Sequence, residues 1–145
     1  MNDVATINLA DGSFAARLKA GIASGEFVEV TGEVEHHQTE DLYGRHFKAP
    51  KGTMLTTRVH KQDHVSVMLK GVIIVRDQDN NLTTITAPCV FTTKAGTQRA
   101  MYAVEDFEFL TVHHHTNQNL DTVKDDLTCD NIDEYKQLLI GRENV

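Results

Sequence analysis

His60 and His64 stand four residues apart, separated only by Lys61, Gln62 and Asp63. Neutral imidazole is a good ligand for Fe, Mn, Ni and Zn. Arg58 lies two residues before His60, and Arg99 follows downstream in Gly96-Thr97-Gln98-Arg99. A guanidinium stays charged and offers no acceptor, so it cannot ligate a metal. Its planar fork suits a carboxylate or phosphate instead. Two histidines and two arginines facing one cavity have three uses. They hold a divalent metal on His60 and His64. They hold a small anion on Arg58, Arg99, His60 and His64, with Tyr102 beside them. Or the arginines are taken up by internal ion pairs with Glu105, Asp106 or Glu108, since buried charges require partners. Asp63 or Gln62 would complete a two-histidine-one-carboxylate set only if a bulge turned it inward.

These residues must be placed by strands. From Thr53 onward short β runs follow one another: MLTTRVH, HVSVMLK, VIIVRD, LTTITA, CVFTTK, RAMYAV and FEFLTVH. Strands so short, at such regular spacing, predict an all-β sandwich or barrel. Alternation puts Thr56, Arg58 and His60 on one face, and His64, Ser66 and Met68 on one face of the next strand. If Lys61–Asp63 closes a hairpin, those faces meet in one cavity. The opposite residues Leu55, Val59, Val65, Val67 and Leu69 are apolar and need cover, for which a second copy of the chain is the economical source. Asp77–Asn81 reads as a hairpin turn. Upstream, Asp11–Ile22 reads as a short helix and Phe27–His36 as an edge strand. Asp130–Ile140 reads as an amphipathic helix with Ile132, Tyr135 and Leu139 on one face and Gly141 just past its end. The expected organisation is residues 1–50 packing on the barrel or a partner, 51–115 as barrel, and 116–145 as polar segment and helix.

The remaining features mostly exclude. With 145 residues, one domain is expected. A net charge of −7 without Lys/Arg clusters argues against nucleic acid as partner. No apolar run approaches the roughly 20 residues that span a bilayer. The N-terminus lacks a basic segment followed by an apolar one, so neither secretion nor a membrane is expected. Cys89 and Cys129 form no CxxC and read as reduced thiols, Cys89 as a core residue. His113-His114-His115 continues a strand and reads as strand-end surface, as does His36-His37.

The spacing resembles that of the cupins. Their first motif is Gly, five residues, His-x-His, three or four residues, Glu, six residues, Gly. Here Gly52 is followed by five residues, Arg58-x-His60, three residues, His64, six residues and Gly71. The second motif is matched in spacing by Pro88, Lys94-Ala95-Gly96, Arg99 and Ala103, with most identities changed. The resemblance runs from Gly52 to about His113. It implies a single cupin barrel, a double-stranded β-helix or jelly roll, with a short N-terminal and a C-terminal helix. The family's four metal-holding positions fall on Arg58, His60, His64 and Arg99, of which only the histidines ligate. The expectation is therefore no resident cofactor, with a divalent metal (Fe, Mn, Ni or Zn) as the alternative.

A narrower likeness is to small cupin-like proteins of tailed bacteriophages, a group without an established function. It rests on Tyr43-x-Arg45, on Gly52, Thr53, Thr56 and His60, on Gly96-x-x-Arg99-Ala100, on Glu105-Asp106 and on Thr111-x-His113. It implies a phage-encoded protein in the host cytoplasm or the virion, with other phage proteins as partners. The expected function is a non-enzymatic structural or accessory binding protein that forms homodimers or higher homo-oligomers. The alternatives are a metal-dependent enzyme of isomerase or dioxygenase type using His60 and His64, and a protein that sequesters a small anionic metabolite or nucleotide.

Overall fold

The computed structural model describes residues 20, 23–25, 32–117 and 119–143. The helix expected over 11–22, apart from Ala20, and residues 27–31 of the expected edge strand lie outside the described residues. The strands in chain order are β1 (Glu33–Gln38), β2 (Leu42–Ala49), β3 (Met54–Thr56), β4 (Val59–His60), β5 (His64–Lys70), β6 (Val72–Arg76), β7 (Leu82–Thr86), β8 (Cys89–Thr93), β9 (Ala100–Ala103) and β10 (Phe107–His114). Helix α1 (Val123–Leu127), strand β11 (Thr128–Cys129) and helix α2 (Ile132–Glu143) follow.

One sheet has five strands in the order β1-β2-β10-β5-β8, and another has four in the order β3-β9-β6-β7. A small third sheet pairs β11 with β4. All pairings are antiparallel, so every strand can show one face to the interior and one outward. β5 shows the alternation plainly: His64, Ser66 and Met68 are buried, while Val65, Leu69 and Lys70 are exposed. The inner faces of the two larger sheets enclose Met68, Ile73, Val75, Met101, Ala103, Phe107 and Phe109, with Phe47, Leu55, Ile85 and Phe91 packed around them. Full burial of side chains such as Met68 and Ile73 stabilises by about 1.5–3 kcal/mol each. The turn at Asp77–Asn81 forms as expected: Asp77 Oδ1 accepts from the amides of Asp79 (2.9 Å) and Asn81 (3.0 Å), and Asn80 takes φ 64°. Gly71 closes the β5–β6 corner at φ 88°, where a Cβ would lie 2.2 Å from the Asp106 carbonyl oxygen. No larger residue fits there.

Four expectations are corrected. MLTTRVH is not one strand, because it breaks at Thr57 and Arg58. Thr57 docks on Arg99 through both its amide (2.8 Å to the carbonyl) and its hydroxyl, which accepts from the Arg99 amide at 2.9 Å. β2, unassigned from sequence, sits inside the five-stranded sheet between β1 and β10, so residues 33–49 belong to that sheet. Val59 does not face a partner: it is fully buried, paired with Cys129 of β11. Helix α2 runs through Gly141 rather than stopping before it, and Leu139 is exposed along with Leu138 and Ile140. Among the described residues, no helix is long and apolar enough to cross a membrane.

Candidate metal and anion site

The barrel holds a cavity of about 560 Å³. Its polar end gathers three imidazoles from three strands. His60 comes from β4, His64 from the start of β5, and His113 from β10, one step beyond the Val112↔Val65 register pair. Their ring centroids lie 4.2 Å (His60–His64), 4.5 Å (His64–His113) and 5.3 Å (His60–His113) apart. One nitrogen from each ring lies within 4.8 Å of the others.

These rings are neutral at ordinary pH. Burial pushes the His60 pKa down to about 3, helped by His64 and by Arg45, Arg99 and Arg58. Burial likewise lowers His113 to about 3, helped by His64 and His60. Burial is also the main cause lowering His64. Neutral imidazoles keep a lone pair for a metal. His64 and His113 each hold a buried Nδ1 with no hydrogen-bond partner among the described residues. A buried polar atom left this way is costly. The other nitrogen of His113 lies 2.8 Å from Thr111 Oγ1, a contact of the kind that orients a ligating ring. This donor set therefore fits a first-row divalent ion such as Fe, Mn, Ni or Zn.

Two arginines flank the imidazoles. Arg99 donates to Thr93 Oγ1 (3.2 Å) and lies over the Phe91 ring (5.5 Å), while Thr93 is itself hydrogen-bonded to Ser66 (2.7 Å). Burial disfavours the Arg99 charge, with Asp77 a partial offset. Arg45 lies over the Phe47 ring at 5.2 Å. Among the described residues no carboxylate pairs with either. Tyr43 sits directly opposite His113 in the β2–β10 pairing, stacks on its ring and pairs with His36 Nδ1 at 2.6 Å.

The expected site residues divide. His60, His64 and Arg99 converge on the cavity. Arg58 borders it, but its guanidinium turns outward because the strand breaks beneath it. It donates to Thr128 Oγ1 (2.7 Å), Asp130 and Asp125 (3.4 Å). Its carboxylate partners are thus C-terminal, not Glu105, Asp106 or Glu108. Asp106 accepts from the Lys51 amide, and Glu108 pairs with His46 and Lys48. Tyr102 is not part of the lining: Thr97, Arg99 and Met101 alternate inward, which puts Tyr102 on the other face. Asp63 points away and accepts from the Ala95 amide at 2.8 Å. The reading of His113–His115 as strand-end surface is overturned for two of the three. His113 and His115 are 3% and 7% exposed, and only His114 faces out. His115 Nε2 donates to Asp126 at 3.0 Å, which ties β10 to α1.

The C-terminal segment walls the cavity with Leu120, Val123, Leu127 and Thr128, and Arg58 holds it there. Partly exposed ion pairs of this kind contribute about 1 kcal/mol at most. Arg58→Ala is therefore expected to leave the fold intact but quicken amide hydrogen exchange across 123–129, with the β5–β10 amides unchanged.

No protein-family model and no curated protein matches the chain. Solved structures do. An RmlC-like cupin family protein with a double-stranded β-helix fold from Methanocaldococcus jannaschii aligns with a TM-score of 0.51 at 15% identity, over 65% of this chain and 89% of that one. A conserved protein with a double-stranded β-helix domain from Klebsiella pneumoniae gives 0.52 at 18% identity, over 66% and 89%. The oxalate decarboxylase of Lactobacillus farciminis, in its formate complex, gives 0.53 at 19% identity, over 64% of this chain but 31% of that one. At these identities the likeness is one of fold. The chain is an all-β protein with the cupin-type double-stranded β-helix, carrying helices at its C-terminal end.

Proposed function

We propose that this cupin-fold chain binds a first-row divalent metal on His60, His64 and His113 and a small organic anion beside it on Arg99 and Arg45. The carrying observation is the convergence of three neutral imidazoles whose nitrogens lie within 4.8 Å of one another. The replaced motif positions weigh less than they did from sequence alone, because His113 adds a third nitrogen ligand and Arg58 turns away. Two nearby guanidiniums repel a dication, and an anion between them and the metal removes that repulsion. The formate complex of the oxalate decarboxylase neighbour supports a small carboxylate as the anion. A bound metal would supply Lewis-acid polarisation of a ligand oxygen. The chain's own residues orient the anion through Arg99 and exclude water with Phe91, Phe109 and Met101. A catalytic extension would be of isomerase or dioxygenase type.

Elemental analysis of purified protein tests the metal. Near-stoichiometric Fe, Mn, Ni or Zn, lost in the His60→Ala/His64→Ala variant, is expected. Protein that neither retains nor takes up an ion in the barrel sinks the reading. For the anion, formate, oxalate and phosphate are added to metal-loaded protein. Thermal stabilisation by one of them should vanish in Arg99→Ala, as mass action requires.

A second reading is a homo-oligomeric accessory protein, phage-encoded as its sequence likeness implies; its self-association alone draws support from the outer face of the five-stranded sheet. Val65 (44%), Leu69 (46%) and Val90 (69%) are exposed there beside half-buried Val67, Leu110 and Val112. Light scattering is expected to give a dimer or larger that Val90→Glu converts to monomer. A wild-type monomer removes this reading.

A further inference from the structure

We propose a second metal site, on the outer face of the five-stranded sheet, formed by Glu35, His37 and His46 and positioned by Glu108. It is independent of the barrel site. Glu35 and His46 are direct partners across β1 and β2, so their side chains rise together from one face. His37, two residues along, shares that face. Its own cross-strand partner is Gly44, where a Cβ would only touch His37 Cβ at 3.4 Å but a longer side chain would share the face with the His37 ring. The missing side chain leaves the His37 ring room to approach the pair.

The two oxygens of Glu35 have separate roles. Oε1 faces the Lys48 ammonium at 3.7 Å. Oε2 faces both imidazoles, at 3.4 Å from His46 Nδ1 and 3.7 Å from His37 Nε2. Zinc bonds of about 2.0–2.2 Å in a tetrahedron set neighbouring ligand atoms about 3.3–3.6 Å apart. The three donor atoms, all within 4.8 Å of one another, need only a small contraction to reach that spacing.

His46 is oriented for the purpose. Its Nε2 donates to Glu108 Oε1 at 2.9 Å, from the third strand of the same sheet. That proton on Nε2 leaves Nδ1 directed at Glu35 and His37. A carboxylate behind the far nitrogen of a ligating histidine fixes the ring and raises its basicity. Lys48, also 3.9 Å from Glu108 Oε1, offsets the surplus negative charge without occupying the ligand oxygen. The His46 side chain is 16% exposed and Glu108 30%, against 62% for His37 and 56% for Glu35. One side is thus built into the sheet and the other is open for an ion to enter. Two imidazoles and one carboxylate select Zn, Ni, Cu or Fe(II) over Mg or Ca. The remaining coordination position faces solvent.

The test titrates the full-length apo-protein with Zn²⁺ against a chromophoric chelator. Two equivalents are expected. His37→Ala should remove one, and His60→Ala/His64→Ala the other. His37 is an exposed side chain, so its loss spares the fold, which circular dichroism checks. Glu108→Gln should weaken the outer equivalent by about 10–100-fold while leaving the inner one unchanged. If His37→Ala binds zinc as the wild type does, the outer site is overturned. If zinc binding persists in His60→Ala/His64→Ala and is lost in His37→Ala, the outer site stands and the barrel reading falls.

Discussion

His113→Ala is expected to lower the barrel's Zn²⁺ or Mn²⁺ affinity by at least about 100-fold, since even substitutions behind a ligand cost about 10–100-fold. The neighbouring His114→Ala should leave it unchanged. The contrast is sharp because the two residues differ in little but direction: His113 is 3% exposed and stacks on His60 and His64, while His114 faces solvent. Thr111→Val should fall between them, because it removes the hydroxyl that orients the His113 ring. Chelator competition in a His37→Ala background keeps the outer-face ion out of the measurement. Equal affinities for His113→Ala and His114→Ala would remove His113 from the ligand set.

The apo-protein is expected to unfold in mild acid, and the sign follows from the imidazoles. His60 and His113 have pKa values of about 3 in the fold, against about 6.5 in an unfolded chain. Between those values the unfolded chain binds protons that the folded chain does not. Stability is therefore full above pH 6.5 and falls as pH drops toward 3. Each uncompensated proton costs about 1.4 kcal/mol per pH unit. Two such groups two units below 6.5 remove up to about 5 kcal/mol, comparable with the whole stability of many domains. Asp63 and Asp126 are also held low, by the Ala95 amide and by His115 first of all. Their losses begin only near the carboxylate range, below pH 4, so the histidine window opens first. Urea melts of metal-free protein at pH 7.5, 6.0 and 5.0 should show the decline, His113→Leu should flatten it, and Zn²⁺ at pH 6 should restore stability. A flat profile from pH 7.5 to 5 would contradict the buried neutral trio.

Much of the fold was legible because it is written in local periodicity. The alternation in HVSVMLK and the Asp77–Asn81 turn follow from rules that act within a few residues, whereas the Gly52–Gly71 spacing spoke only through its resemblance to the cupin motif. The site was legible only in part. His60 and His64 sit across a short turn, where sequence spacing and spatial spacing coincide. Arg58 misled because alternation was carried through a strand that breaks at Thr57, and the break depends on docking to Arg99, 42 residues away. His113 was missed for a related reason. Alternation already placed His113 and His115 on one face opposite His114, but which face is inward depends on pairing with β2 and β5. The signal lay in Tyr43-x-Arg45 and Thr111-x-His113, segments whose likeness carried no role until pairing set Tyr43 opposite His113. β2 itself escaped because its inward residues, Tyr43, Arg45 and Phe47, mix aromatic with cationic side chains and give no apolar rhythm.

The pairing of β11 with β4 sets an order of events during synthesis. Residues 59–60 leave the ribosome long before residues 128–129, and domains tend to fold as units once their chain is available. Until Thr128 and Cys129 emerge, Val59 lacks its strand partner, Arg58 lacks Thr128 and Asp130, and the cavity lacks its Leu127 wall. The two large sheets can close first, bringing His64 and His113 together, while His60 on β4 still awaits its β11 partner. The later-made segment 120–129 then seats β4 and walls the cavity in one step, so completing the imidazole trio and closing the pocket are the same event.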